Sequence, residues 1–477
     1  MPLGMMPHIS EPRMESRPAS RFNGKRVHFI GIGGCGMSGL ARMLLDAGAI
    51  VSGSDAGAST AVLELMGRGA TVSRDQTGSL LTPKTDLVVR SAAIKTDNPE
   101  FATALKLGLR HVKYAEMLGM VMADAVGVAV AGTHGKSTTT AMIGFALVEC
   151  GADPSIVVGG TVPQLGGSSR SGAGPVFVAE ACEFDRSFHR LHPTIALITN
   201  IEEDHLDCYK DIHEIVASFT AFARLVPPHG LIIAGGNDPK VREALAEVRA
   251  PIEWVGIGAG MNYSAEVIGV ENGCYRGKIS HDGRELGILS LAVSGEHNLQ
   301  NAMMAVAACA ACGIPEEKSM AALAKFTGVD RRMTLMGSIN GASVVDDYGH
   351  HPTEIRATLA ALRGQYKPRK LYCVFQPHQH SRTRFLMEDF ASSFQQADTT
   401  IVPDIYFVRD SEAERQSVSA EDLVDKLKAN GRLAMHLANF GDIVSHLKKV
   451  VGEGDLVVTM GAGNVWQIGK ELASGKK

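Results

Sequence analysis

The chain has 477 residues, 52 of them glycine, and carries 47 basic against 51 acidic side chains for a formal net charge of −4. That length exceeds what a single hydrophobic core organises and predicts two to four domains. The near-balance of charge gives no electrostatic basis for partnership with nucleic acid or an anionic membrane, and no apolar run approaches the ~20 residues of a membrane helix.

The N-terminal stretch through residue 22, beginning "MPLGMMPHISEPRMESRPAS", is rich in Pro, Ser and charge and has no apolar core of a signal peptide. It reads as a disordered tail. Eight scattered cysteines predict free thiols in a reducing cytoplasm. The close pair Cys309 and Cys312 falls in the Ala-rich run "NAMMAVAACAACGI", where both read as helix residues and no second pair completes a metal site.

Order is expected from "KRVHFIGIGGCGMSGLARMLLDAGAIVSGSD". A short apolar strand at 26–30, a helix ending at Gly48 and a second strand ending at Asp55 make a βαβ unit. Between them Gly31, Gly33 and Gly36 stand in the G-x-G-x-x-G arrangement, with Gly34, Cys35 and Met37 filling the turn. Such a loop seats a pyrophosphate at a helix N-terminus, and the pattern fits a dinucleotide and a UDP-sugar equally. Further strands at "DLVVRSAAI" and "LRHVKY" extend this first α/β domain over 23–122.

A second segment, 123–329, opens with the strand "VGVAVAG" and the loop "GTHGKS". Gly132, Thr133, His134 and Gly135 supply a tight turn, Lys136 a cation for outer phosphates, Ser137 a ligand for Mg²⁺ and Thr138 the start of a helix. A standard P-loop has glycine where this chain has Val130, so a shorter loop is expected. "VFVAEA" delivers Glu180 to a strand end, and "IALITNIEEDHLD" delivers Asp204, His205 and Asp207 to an equivalent place. Carboxylates at neighbouring strand ends suit a hard cation bridging phosphates. Strands "KLYCVFQPH", "TTIVPDIY" and "DLVVTMGAGNV" alternate with helices through a third segment, 330–477. The expected fold class is α/β in three domains, each a mainly parallel sheet with flanking helices: Rossmann-like, P-loop-type and Rossmann-like in turn.

The segments "HFIGIGGCGMSGLA", "SGSD", "DNPE", "AGTHGKSTTT", "LHPTIALITNIEEDHLD", "DDYGHHPTEI", "FQPHQHSRTR" and "GDLVVTMGAGNV" occur in one order across nearly the whole chain after residue 22. In this the chain resembles the Mur ligase family, and among its members those that attach the first amino acid to UDP-N-acetylmuramate. The resemblance implies an ATP-dependent carboxylate–amine ligase of peptidoglycan precursor synthesis, working through an acyl phosphate. Its partners would be UDP-N-acetylmuramate, ATP and L-alanine, with Mg²⁺ or Mn²⁺, in a monomer or homodimer. Lys136 would bind the β- and γ-phosphates; Ser137 and Glu180 would hold one metal ion, and His205, near Glu180, a second. Asn298 and Asp347 match positions near adenine and ribose. Gly31 through Met37, Asp55 and Arg170 match the UDP-sugar site. His350, His378 and Arg382 would complete the site from the third domain, with His378 and Arg382 on the amino acid.

Departures from the family pattern are local. Cys182 and Phe184 in "EACEFD" stand where polar residues are usual, and Met333 where an aromatic is usual. Gln379 replaces a positive residue expected near the amino acid's carboxylate, for which Arg382 or Arg384 would substitute as a bidentate clamp. Glycine or L-serine thereby join L-alanine as candidate substrates. Lys210 is the single lysine between Tyr209 and Gly230, so the carbamylated lysine of later family members has no clear counterpart. His189 and His192 are expected to pack, and His351 to shape the turn before Pro352. The rival readings are a ligase that recycles whole peptides, an NAD-dependent oxidoreductase built on "GIGGCG" and Asp55, and a non-catalytic UDP-sugar-binding protein.

Overall fold

The computed structural model describes residues 20–474 except 58 and 92. Residues 1–19 of the expected tail lie outside the described residues. Its last part departs from expectation: Phe22 is buried in the core of the first sheet, and Arg21 donates to Asp124 across to the start of the next sheet. Burying a phenyl ring removes more apolar surface from water than the polar composition around it suggested.

Three sheets follow one another. In the first, strands β1 (Arg26–Ile30), β2 (Ile50–Ser54), β3 (Thr71–Ser73), β4 (Leu87–Arg90) and β5 (His111–Lys113) run parallel in the order β3-β2-β1-β4-β5. The order reverses beside β1, so the crevice between the β1 and β4 ends opens at the glycine loop, where open α/β sheets bind ligands.

The central sheet has ten strands: β6 (Val126–Ala131), β7 (Ser155–Val162), β8 (Gly167–Arg170), β9 (Val176–Glu180), β10 (Ile195–Ile198), β11 (Leu231–Gly235), β12 (Ile252–Ile257), β13 (Tyr263–Glu271), β14 (Cys274–His281) and β15 (Arg284–Ser294). Their order is β15-β14-β13-β12-β11-β10-β6-β9-β7-β8. The strands from β12 to β7 pair in parallel and read as continuous apolar runs such as "VAVA", because helices cover both faces. The β13–β15 meander is antiparallel and only partly buried, with Tyr263, Ala265, Ile279 and Leu289 turned into the core. These three strands carry no continuous apolar run, since about half of their side chains are polar.

The third sheet comprises β16 (Thr334–Ile339), β17 (Ala342–Asp347), β18 (Leu371–Phe375), β19 (Thr399–Val402), β20 (Ala434–His436) and β21 (Leu456–Met460), ordered β16-β17-β21-β18-β19-β20. It is parallel except for the edge strand β16. Separate apolar clusters cover its two faces. By contrast the core of the first sheet is continuous with one face of the central sheet through Leu118, Met122, Phe188 and Leu191. Gly119 makes that contact possible, because a Cβ there would fall 1.9 Å from the Arg190 carbonyl oxygen. No helix among the described residues is long and apolar enough to cross a membrane.

Candidate active site between the sheets

The loop after β6 is shaped by two glycines that no other residue could replace without strain. Gly132 has φ +136°, and a Cβ on it would meet Thr199 Oγ1 at 1.9 Å. Gly135 has φ +81° and caps the helix Lys136–Glu149 without any side-chain hydrogen bond, leaving the first amides of that helix free. The turn holds Lys136 Nζ 2.5 Å from the Gly132 carbonyl and 3.0 Å from that of Thr133. Thr133 accepts from the Glu202 amide, and Thr138 lines the adjacent cavity. Ser137 Oγ donates to Glu180 Oε2 over 2.8 Å, and the Gly159 amide donates to the same oxygen.

Glu183 sits at the centre of this cluster, although the sequence reading did not select it. Its Oε1 lies 2.9 Å from Lys136 Nζ and 3.5 Å from His205 Nε2. Burial opposes charge on both partners of the Lys136–Glu183 pair; Coulombic attraction prevails, raising the lysine above and lowering the carboxyl below its ordinary range. Its signal in the sequence was the i, i+3 spacing of two acids in "EACEFD". That spacing follows β9 into a kinked segment where Asp185 and Arg186 adopt φ +53° and +50°. His205, itself at φ +54°, therefore meets Glu183 rather than Glu180 directly. Two buried polar atoms here, Glu183 Oε2 and His205 Nδ1, find no hydrogen-bond partner among the described residues.

The central and third sheets face each other across a polar cleft. Arg382 donates through Nε and Nη2 to Asp204 Oδ1, at 3.0 and 2.6 Å, and both side chains are buried. Burial opposes the Asp204 charge, but the guanidinium holds its carboxyl well below the usual carboxylate range. His134 Nδ1 lies 3.2 Å from Glu354 Oε1, and Thr353 donates to Glu202 Oε2 over 2.6 Å. Although burial alone would lower it, His134 is raised to about 9 by the neighbouring carboxylates of Glu202 and Glu354. His351 caps the helix Pro352–Tyr366, accepting from the Thr353 amide, and reaches the Glu203 carbonyl. His350 and His378 stand 6.1 Å apart between ring centroids. Burial depresses them to about 4 and about 3 respectively, so both rings are neutral near pH 7. His189 stacks on Phe188 and donates to the Ser218 carbonyl, a packing role.

Three arginines near the cleft and loop have partners that the sequence did not indicate. Arg382, expected on the amino acid's carboxylate, is bound to Asp204, and Arg384, its alternative, pairs with Glu414 at the surface. Arg170, expected at the UDP-sugar loop, instead pairs with Asp153 and donates to the Pro154 carbonyl. Arg170 lies opposite Ile156, which itself faces Val178 two residues before Glu180, and its neighbour Ser169 packs against Gly39 and accepts from Arg42 of the helix that follows the glycine loop.

Asn298 and Asp347 line one cavity together with His134, Gly135 and Thr138. Asn298 donates to the Ser294 carbonyl, while Asp347 accepts from the amides of Met333 and Gly349 and is raised by burial. In the first sheet Gly31 turns at φ +82°, and Gly34 caps the helix Cys35–Asp46 with no side-chain bond. Gly33 and Gly36 have no room for a Cβ, against Asp55 and the Tyr114 hydroxyl respectively. Asp55 accepts from the amides of Gly33 and Gly57, so it orders the loop. Cys35 is exposed at that helix start, and Met37 is buried beneath it.

Three family models match the chain in succession: "Mur ligase family, catalytic domain" over residues 26–125, "Mur ligase middle domain" over 130–309 and "Mur ligase, glutamate ligase domain" over 331–463. The UDP-N-acetylmuramate–L-alanine ligase of Acetivibrio thermocellus is 41% identical over 456 residues, covering 95% of this chain and 96% of the relative. That of Pelotomaculum thermopropionicum is 43% identical over 450 residues, covering 94% and 97%. Among solved structures, UDP-N-acetylmuramate–alanine ligase from Thermotoga maritima superposes with a TM-score of 0.76 at 25% identity, covering 94% of this chain and 98% of that one. A murein peptide ligase from Psychrobacter arcticus superposes at 0.70 with 27% identity and the same coverage.

Proposed function

The chain belongs to the Mur ligase family, and from that premise we infer how its residues carry the family's reaction. It is an ATP-dependent carboxylate–amine ligase that joins L-alanine to the lactyl carboxylate of UDP-N-acetylmuramate, releasing ADP and phosphate in peptidoglycan precursor synthesis. A carboxylate oxygen attacks the γ-phosphorus, the bond to the β–γ bridging oxygen breaks, and ADP leaves. The amine nitrogen then attacks the acyl carbon, loses a proton, and expels phosphate. The protein's part in such transfers is positioning and charge stabilisation.

The observation that carries this assignment is the convergence of Lys136, Ser137, Glu180, Glu183 and His205 around one loop. We assign Lys136 to the outer phosphates. Glu183 keeps it charged and extended along the loop, where its three N–H donors go to the Gly132 and Thr133 carbonyls and to Glu183, so an incoming phosphate would replace one of these partners. The donor set fits a divalent cation, since Glu183 Oε2 and His205 Nδ1 are buried without partners among the described residues and Ser137 and Glu180 present hard oxygen ligands. Such a cation, Mg²⁺ or Mn²⁺, would neutralise charge on the transferring phosphoryl oxygens. Asn298 and Asp347 are assigned to the nucleoside end, and the loop Gly31–Met37 with its open helix start to the UDP pyrophosphate. Small-molecule substrates, free thiols and dependence on ATP support a cytoplasmic location.

Phosphate release from ATP and Mg²⁺ is the direct test, measured with UDP-N-acetylmuramate and, in separate reactions, L-alanine, glycine, L-serine or the Ala-γ-Glu-diaminopimelate tripeptide. Release that requires UDP-N-acetylmuramate and is fastest with L-alanine is expected. Release with the tripeptide alone would make the chain a peptide-recycling ligase.

A further inference from the structure

The incoming amino acid brings a carboxylate into a cleft whose obvious cations are already neutralised. Lys136 pairs with Glu183, Arg382 with Asp204, Arg332 with Glu354 and Arg384 with Glu414. His350 and His378 are neutral rings. One guanidinium near this cleft differs. Arg409, in the loop after β19, forms no ion pair among the described residues. Its Nη2 donates to the neutral Gln379 Oε1 over 3.0 Å, and its guanidinium carbon lies 4.4 Å above the Phe184 ring centre. Phe184 in turn stands 5.3 Å from the His205 ring, edge to face, and follows Glu183 directly in sequence. Arg409 is thus one aromatic ring removed from the phosphoryl-transfer cluster, a suitable reach for an amino acid whose two charged ends are separated by one Cα.

Its placement is built into the backbone. Gln379 donates its amide to the Tyr406 carbonyl, Tyr406 donates to that of Pro377, and His378 stacks on the Tyr406 ring. On the other side, Asp410 accepts from the His380 amide and the Ser381 hydroxyl. Arg409 is fixed between these two anchors at φ +62°, and Gln379 beside it sits at φ +69°. Both are left-handed conformations that a side chain adopts only where its surroundings impose them. The Gln379 amide also donates to Asp207 over 3.3 Å, which keeps that carboxylate occupied on the far side of the amide from the guanidinium.

We propose that Arg409 binds the α-carboxylate of the incoming amino acid, with Gln379 and Phe184 as the platform that orients it. The three residues form one unit. The family pattern has a cation at position 379; here that position carries an amide acceptor, and the cation arrives from the loop after β19. Phe184, which replaces a polar residue beside the metal site, supplies the face on which a guanidinium stacks. This inference rests on the ligase reading above.

The test compares L-alanine with L-alaninamide, which lacks the carboxylate, as acceptors in the phosphate-release assay. Arg409 is exposed, so Arg409→Gln removes a surface cation and leaves the core intact. In Arg409→Gln the KM for L-alanine is expected to rise about 10- to 100-fold, the range of a charge-assisted hydrogen bond. The KM values for ATP and UDP-N-acetylmuramate stay within twofold, the KM for L-alaninamide is unchanged, and Arg409→Lys shows an intermediate rise. Adding Gln379→Arg to Arg409→Gln is expected to recover part of the preference for the free carboxylate. An unchanged KM for L-alanine in Arg409→Gln, or an equal loss with L-alanine and L-alaninamide, overturns the proposal. Absence of release by the wild-type chain with every amino acid overturns the ligase reading instead.

Discussion

Glu183 shows how much one side chain can hold together. One carboxylate oxygen joins the loop lysine to the histidine in the loop after β10, and the other is buried with no partner among the described residues. Glu183→Gln keeps the volume and removes the charge, leaving a buried ammonium whose nearest remaining carboxylate, Glu180, already accepts from Ser137 and Gly159. Breaking a buried pair in this way costs about 3 kcal/mol, to be read as a lower urea midpoint. Phosphate release is expected to fall by about 100-fold, the size of effect seen when a preorganised electrostatic group is removed. A variant with wild-type turnover would show that Glu183 only packs.

The phosphate loop is an element defined by the absence of side chains. Gly132→Ala and Gly135→Ala force a Cβ into Thr199 Oγ1 at 1.9 Å and Asn301 Oδ1 at 2.7 Å, on backbones at positive φ. Gly151 and Gly166 also have positive φ, but a Cβ at either meets nothing within 4 Å. Alanine at these two is therefore expected to cost about 1 kcal/mol through strain alone. The loop variants add a clash that moves the helix start, so they lose both stability and nucleotide affinity. Calorimetric titration with a non-hydrolysable ATP analogue separates the two pairs. Retained affinity in Gly132→Ala would mean that the loop tolerates a wider turn than its geometry indicates.

For the whole molecule, the polar cleft between the central and third sheets makes stability depend on pH from both sides. His297, His350 and His378 are lowered to about 4, about 4 and about 3 by burial. The unfolded chain binds more protons than the folded one between those values and about 6.5, so stability falls as pH drops below 6.5. Glu202, which burial opposes but His134 and Thr353 lower to about 2, contributes stability present above its ordinary value of 4.5 and lost on approaching 2. His134 has the opposite sign. Raised to about 9, it contributes stability fully present below 6.5 and lost as pH rises through 9, when its pairing with Glu202 and Glu354 ends. Melting temperatures from pH 4 to 10 are expected to peak near 6.5 for these groups. In His134→Gln the alkaline decline between 6.5 and 9 should flatten while the acid limb remains. An unaltered alkaline limb would place its cause elsewhere.

The sequence by itself determined the three-part α/β architecture, the phosphate loop and the membership of a ligase family. Apolar runs, glycine spacing and strand–loop–helix succession are properties of short stretches, and Gly132, Lys136, Ser137 and Glu180 lie on or next to such stretches. It did not reveal the β13–β15 meander, because half-exposed strands lack a continuous apolar run. Nor could it settle which groups meet across the fold. Arg382 reaches Asp204 over a separation of 178 residues, a partner that no local pattern indicates. Arg409 comes to Gln379 and Phe184 only because the loop after β19 is anchored at Tyr406 and Asp410. Charge pairing depends on distance in space and on burial, neither of which is written in the order of residues, and so only the tertiary structure decided which cations near the cleft remain free.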